Sequence, residues 1–183
     1  MDLLTAIESR ASAGRLTDPG PNKQQIERLL RAASHAPDHG RLSPWRFAVM
    51  QDAGRGILAN AMADLLLRRH PDASADMLAS EKAKAQRAPT IIAVAAHPTP
   101  GHKVPEVEQV VAVGAAIQNL LLAAQALGFG TMWKTGAPAY DAEVKQALGF
   151  ATTDQVVGFV YLGTTVTPGK PRDYPLAGLV RYL

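Results

Sequence analysis

Residues 110–137 read VVAVGAAIQNLLLAAQALGFGTMWKTGA, and this stretch decides the fold. Val110, Val113, Ile117, Leu121 and Ala124 recur at helical spacing, and only Gln118, Asn119 and Gln125 interrupt an otherwise apolar surface. A helix on the outside of a protein carries a charged face, so this one is predicted to be sheathed on all sides, as the central helix of a globular core. Its interruptions, and Glu106 and Glu108 just ahead of it, argue against a membrane span. Gly128 supplies the stop, because glycine takes up the left-handed C-terminal cap without steric cost. The chain then leaves through Phe129–Trp133 as a short strand and reaches Lys134-Thr135-Gly136, where a glycine lets a flat ligand approach the backbone.

Composition narrows the function. With 183 residues the chain has the length of one domain with a sizeable core, and 47% hydrophobic and 19% charged residues are ordinary for a globular protein. A net charge of +3, no run of Lys or Arg, and 5% aromatic residues argue against a nucleic-acid partner. There is no cysteine, which excludes disulfides, thiolate metal sites, iron–sulfur clusters and thiol chemistry, so any redox function must use a bound cofactor. The start MDLLTAIESR lacks the basic, apolar and small-residue zones of a signal peptide, and the expected location is cytoplasmic.

Outward from the central helix, a first short helix with Leu3, Leu4 and Ile7 on one face ends near Arg10. The stretch RASAGR (10–15) sets two guanidinium groups and a hydroxyl beside a flexible glycine, which suits either a phosphate or a solvated helix end. Asn22 is placed to cap a helix carrying Ile26, Leu29, Leu30 and Ala33, which stops before Pro37. The loop HAPDHGRLSPW (35–45) leads into a strand at residues 46–50. His35 and His39 are four apart but straddle a proline and have no carboxylate cluster, so no metal site is expected; each could equally be a loop histidine with a structural hydrogen bond. Residues 54–69 read as an amphipathic helix, and residues 71–87 as a more exposed one with Met77 and Leu78 inward. TIIAVAA (90–96) is the strongest strand, suited to a position covered on both faces. A turn at Pro138, a helix over 141–148 and a strand over 155–163 follow, and PGKPR (168–172) closes the chain with two cations one residue apart.

The run QNLLLAAQALGFGTMW with its strand-end glycine, the Arg10/Ser12 element, the Pro-Trp entry to a strand and the closing Lys170/Arg172 pair resemble the FMN-dependent nitroreductase family, in its compact NAD(P)H nitroreductase subgroup. The resemblance covers nearly the whole chain. It implies an α+β fold: a mostly antiparallel sheet of about four strands flanked by helices, one domain over residues 1–183, working as a homodimer with FMN at the interface. By the same resemblance Arg10, Ala11, Ser12 and Arg15 surround the FMN phosphate with Lys170 and Arg172, while Trp133, Lys134, Thr135 and Gly136 lie along the ring, and His35, Pro37, Asp38 and His39 reach the flavin of the second subunit. Ala11 stands where the family often has a basic residue, a charge that Arg15 could supply. The implied chemistry is ping-pong: NADH or NADPH reduces FMN at N5, and a nitroaromatic, quinone or other electron-poor acceptor then takes the reducing equivalents. No catalytic acid or base is expected among the side chains. Two rivals remain open at this point, a different flavin chemistry on the same fold, such as a dehalogenase or dehydrogenase, and a non-catalytic flavin-binding or redox-sensing protein.

Overall fold

The structure, a computed structural model, describes residues 2–183. Five strands form one sheet in which each pairing is antiparallel: β1 (Arg15–Thr17), β2 (Trp45–Gln51), β3 (Thr90–Ala96), β4 (Gly130–Lys134) and β5 (Gln155–Thr167). β5 organises the sheet, since its 13 residues pair with β3, with β4 and, at its far end, with β1. β3 is buried from end to end, as its unbroken apolar run predicts for an interior strand.

Because side chains alternate across a strand, the sheet builds two cores. On one face Ile91, Ala93 and Ala95 of β3 and Phe159 and Tyr161 of β5 pack against Leu58, Met62 and Leu65 of α3 (Arg55–Arg69) and Val144 of α7 (Ala142–Ala147). On the other, Ile92, Val94 and Ala96 with Val160 and Leu162 meet Leu29 and Ala33 of α2 (Lys23–Ser34) and Val113, Ile117, Leu120 and Leu121 of α5 (Glu106–Ala126). At 21 residues and a mean hydropathy of 1.5, α5 is long and apolar enough to cross a membrane, yet its inner face is spent on this sheet. Asn22 and Gln25 cap α2 reciprocally, side chain to backbone at 2.9 Å each way, which satisfies two donors that a helix start otherwise leaves bare.

Several local expectations change. The sheet has five strands, because Arg15–Thr17, a segment with no strand pattern of its own, joins β5 as β1. Residues 137–140 form a one-turn helix, α6 (Ala137–Tyr140), with Pro138 where a proline's missing N–H is harmless. Residues 71–87 yield α4 (Ala75–Ala83) and a 3-10 turn, and Met77 points outward at 47% exposure. α1 (Leu3–Ser9) buries only Ala6, leaving Leu3 and Leu4 each 67% exposed, and on α5 Val107 and Val111 are exposed to a similar degree. The sheath around the central helix is thus incomplete within one chain.

Candidate functional site

Two adjoining cavities open on the α3 face of the sheet. The larger, about 550 Å³, is lined by Ala13, Gly14 and Arg15 before and in β1, by Arg55 of α3, by Gln86–Pro89 ahead of β3, and by Met132, Lys134 and Tyr161. The second, about 400 Å³, has Leu58, Met62, Leu65 and Phe159 beneath it, Lys134, Thr135 and Gly136 along one side, and Arg69, Glu81, Lys84 and Arg87 around it. Both volumes fall in the range of small-molecule sites. Arg87, Lys134 and Tyr161 belong to both and form their common wall.

This wall is strongly electropositive. The Lys134 ammonium stands 4.8 Å over the Tyr161 ring, a cation–π contact. Burial, then the charges of Arg87 and Lys84, hold its pKa below the usual lysine value. Burial also pushes the Tyr161 phenol up. Among the described residues Lys84 is the one cation here held in an ion pair, to Glu81 at 2.5 Å, while Arg55 is committed to the Ala88 carbonyl at 2.8 Å. Sequence reasoning missed Arg55, Arg69, Lys84, Arg87 and Tyr161. Lys84 and Arg87, three apart and just ahead of the strongest strand, were the available signal.

A third recess of about 140 Å³ lies where the first helix, β4 and the end of β5 converge, and Arg10, Ala11, Gly130, Thr131, Pro168 and Gly169 line it. Ala13 N–H donates to the Thr131 carbonyl at 2.8 Å and Gly14 N–H to the Thr167 carbonyl at 2.9 Å. At Gly169 an added Cβ would lie 2.1 Å from the Ser12 carbonyl oxygen, so only glycine lets the chain end pass flush over residues 11–12. That approach ends one residue short of Lys170; Lys170 and Arg172 line none of these three spaces, both are exposed, and Arg172 donates to the Tyr174 hydroxyl at 2.8 Å.

The expected contacts are not all brought together. Arg10, Ala11 and Ser12 gather at the recess, and Arg15, Lys134, Thr135 and Gly136 line the two cavities. Trp133 lies elsewhere: it pairs with Val160 and covers Gly158 on the α5 face, whereas Lys134 pairs with Phe159 and turns to the α3 face. His35, Pro37, Asp38 and His39 line neither cavity; His35 ends α2, and His39 Nδ1 sits 2.6 Å from Glu108 at the start of α5. Their loop is strained, with Arg41 and Ser43 at φ of 55° and 49°, and one Asp38 carboxylate oxygen is buried without a partner. Among the described residues no group of three or more His, Asp or Glu could hold a metal.

Gly136 has φ 102° and ψ −168°, a combination reserved for glycine, and the space its Cβ would occupy is open. The bare backbone therefore faces the second cavity. Gly136→Ala is expected to cost about 1–3 kcal/mol from backbone strain and to reduce the bound ligand together with it. Thermal melts beside cofactor stoichiometry check this, and an unchanged melt with full occupancy would show that the turn adapts.

A flavin mononucleotide suits these surroundings on three observations: cations at the cavity junction for an anionic group, a glycine-bared backbone for a flat ring, and a recess lined by Arg10 over which Gly169 passes closely. Comparison with known proteins agrees. The profile of the Nitroreductase family matches residues 7–164. The chain is 39% identical over 166 residues to YdjA of Escherichia coli (strain K12), assigned as an NAD(P)H nitroreductase, covering 90% of this chain and 88% of that one. Among solved structures, a nitroreductase-like family protein from Bacillus cereus superposes with a TM-score of 0.83 at 23% identity, over 100% of this chain and 96% of the other. A protein from Desulfovibrio desulfuricans assigned as a nitroreductase, solved in complex with FMN, gives 0.77 at 27% identity over 98% and 95%.

Proposed function

The chain belongs to the nitroreductase family, and from that premise we propose that it is an FMN-dependent oxidoreductase, residues 1–183 forming one unit, which passes reducing equivalents from NADH or NADPH to nitroaromatic, quinone or other electron-poor acceptors. The observation that carries this reading is the pair of cavities joined at a wall that carries Arg87 and Lys134. For a nitro acceptor, one NAD(P)H and one proton reduce the nitro group to a nitroso group, one N–O bond breaks, and water leaves.

FMN, when bound, supplies the hydride-accepting and electron-donating chemistry through its N5 position. The protein's own groups bind and orient. Arg10 and Ser12, helped by Lys170 and Arg172, hold the phosphate through charge-assisted bonds, and Arg15 adds charge along the path between recess and cavities. Lys134 and Arg87 hold positive charge at the junction, which favours the electron-rich state of whatever is reduced there. Met62, Leu65 and Phe159 keep water from beneath it. The Thr135–Gly136 backbone lets a ring lie close.

The reading includes a homodimer with the cofactor at its interface, and with the donor a cytoplasmic setting. It is supported by apolar side chains that the single chain leaves bare: Leu3, Leu4, Val107 and Val111, and on the extended C-terminal stretch Leu176, Leu179 and Tyr182, each at least 65% exposed. Under it the strained loop with His35, Pro37, Asp38 and His39 serves the second subunit's flavin. Dissociation and FMN loss are then linked. Sedimentation as a monomer at micromolar concentration with FMN still bound would refute the shared site. The enzymatic reading is tested by the absorbance spectrum of the purified protein and by NADH and NADPH oxidation with a nitroaromatic or quinone. Yellow protein and acceptor-dependent oxidation are expected; a chain that cannot be loaded with FMN would refute the proposal.

A further inference from the structure

One polar group at the junction of the two cavities has no part in the binding and orienting described so far. Tyr161 lines both cavities, yet it is only 4% exposed: its ring packs in the α3-side core, between Ile91 of β3 and Met132 of β4 across the sheet. The Lys134 ammonium, 4.8 Å from the ring centre, covers it, so the side chain is held in one place. Its hydroxyl makes no hydrogen bond to the described residues and is not shut into the core either; it borders the open cavities. Glu81, the carboxylate on the wall of the second cavity, is engaged by Lys84 at 2.5 Å. A buried phenol that spends its hydroxyl on no protein group keeps that bond for whatever fills the cavity. Burial pushes its ionisation up, while the nearby Arg87 and Glu81 charges act against each other, so at neutral pH it is an uncharged group with one O–H to donate.

Building on the flavoenzyme reading, we infer that Tyr161 is a contact of the cofactor's ring: its hydroxyl donates a hydrogen bond to an acceptor atom of the flavin, and that bond is stronger when the ring is reduced. Thr135 and Gly136, whose backbone admits a flat ring, line the second cavity together with Tyr161. A flavin carries carbonyl oxygens and ring nitrogens as acceptors, and reduction raises the electron density on them. The donor is fixed by packing before the cofactor arrives, so forming the bond needs little reorganisation of the protein.

The test is Tyr161→Phe, which removes one oxygen and keeps the ring. Without cofactor the variant should melt with the wild type, because no protein partner of the hydroxyl is lost. Fluorescence titrations should show FMN and riboflavin weakened by the same factor of about two to ten, since the contact is with the ring that both share. Arg10→Ala, acting on the phosphate, weakens FMN alone, so the two variants give different patterns. The midpoint potential of bound FMN should fall, by about 30 mV for each tenfold by which the reduced flavin is weakened more than the oxidised one. An unchanged riboflavin affinity or an unchanged potential overturns the inference, because the hydroxyl then meets only water. So does a cofactor-free variant that melts well below the wild type, which would return the hydroxyl to the packing of the core. Any of these results with a wild type that binds FMN refutes the Tyr161 contact alone, whereas a wild type that takes up no FMN refutes the underlying function and this contact with it.

Discussion

Truncating Leu120 to alanine is expected to lower the unfolding free energy by about 2–5 kcal/mol, the cost of a cavity in a packed core. Leu120 is fully buried at the middle of α5, against the sheet face that carries Ile92, Val94, Val160 and Leu162. A typical domain is stable by only about 5–15 kcal/mol, so this one side chain represents a large share. Its effect should be chiefly on stability, because the two cavities open on the opposite face of the sheet. Urea unfolding provides the measurement, and a loss below about 1 kcal/mol would mean that the inner face of α5 is not a close-packed core.

The second large effect belongs to the recess. Arg10→Ala should weaken FMN binding by about 1.5–3 kcal/mol, roughly ten- to 150-fold, while leaving riboflavin, which has no phosphate, nearly unaffected. Riboflavin should bind the unaltered protein far more weakly than FMN does. Fluorescence titration with the two flavins separates these outcomes. Equal affinities in the unaltered protein would move the phosphate away from Arg10, Ser12, Lys170 and Arg172.

Local signals made most of the fold legible. The unbroken apolar run of α5, the β-branched run of β3 and the Asn22 cap each carry their information in neighbouring residues, and each appears where the sequence places it. β1 was hidden because three residues are too few for a pattern and its stability comes from β5, far away in the chain. Met77 was misread because α4 has little distinction between its faces. The site was half legible for a related reason. Which of Trp133 and Lys134 turns to the cavities depends on whether its cross-strand partner is Val160 or Phe159, and a register is not written in the strand itself. The cationic wall draws Lys84 and Arg87 from before β3 and Lys134 from β4, so only the folded chain brings them together.

The pairing of Arg15 with Thr167, and the passage of Gly169 over Ser12, also set an order of events during synthesis. α2, β2 and β3 can begin to associate on the ribosome, but the strand that joins β3 to β4 and β1 comes later than all of them. Closing so long a loop is slow compared with forming local helices. In a nascent chain the edge of β3 that pairs with β5 therefore stays open until residues 155–162 emerge, and the recess by Gly169 forms last.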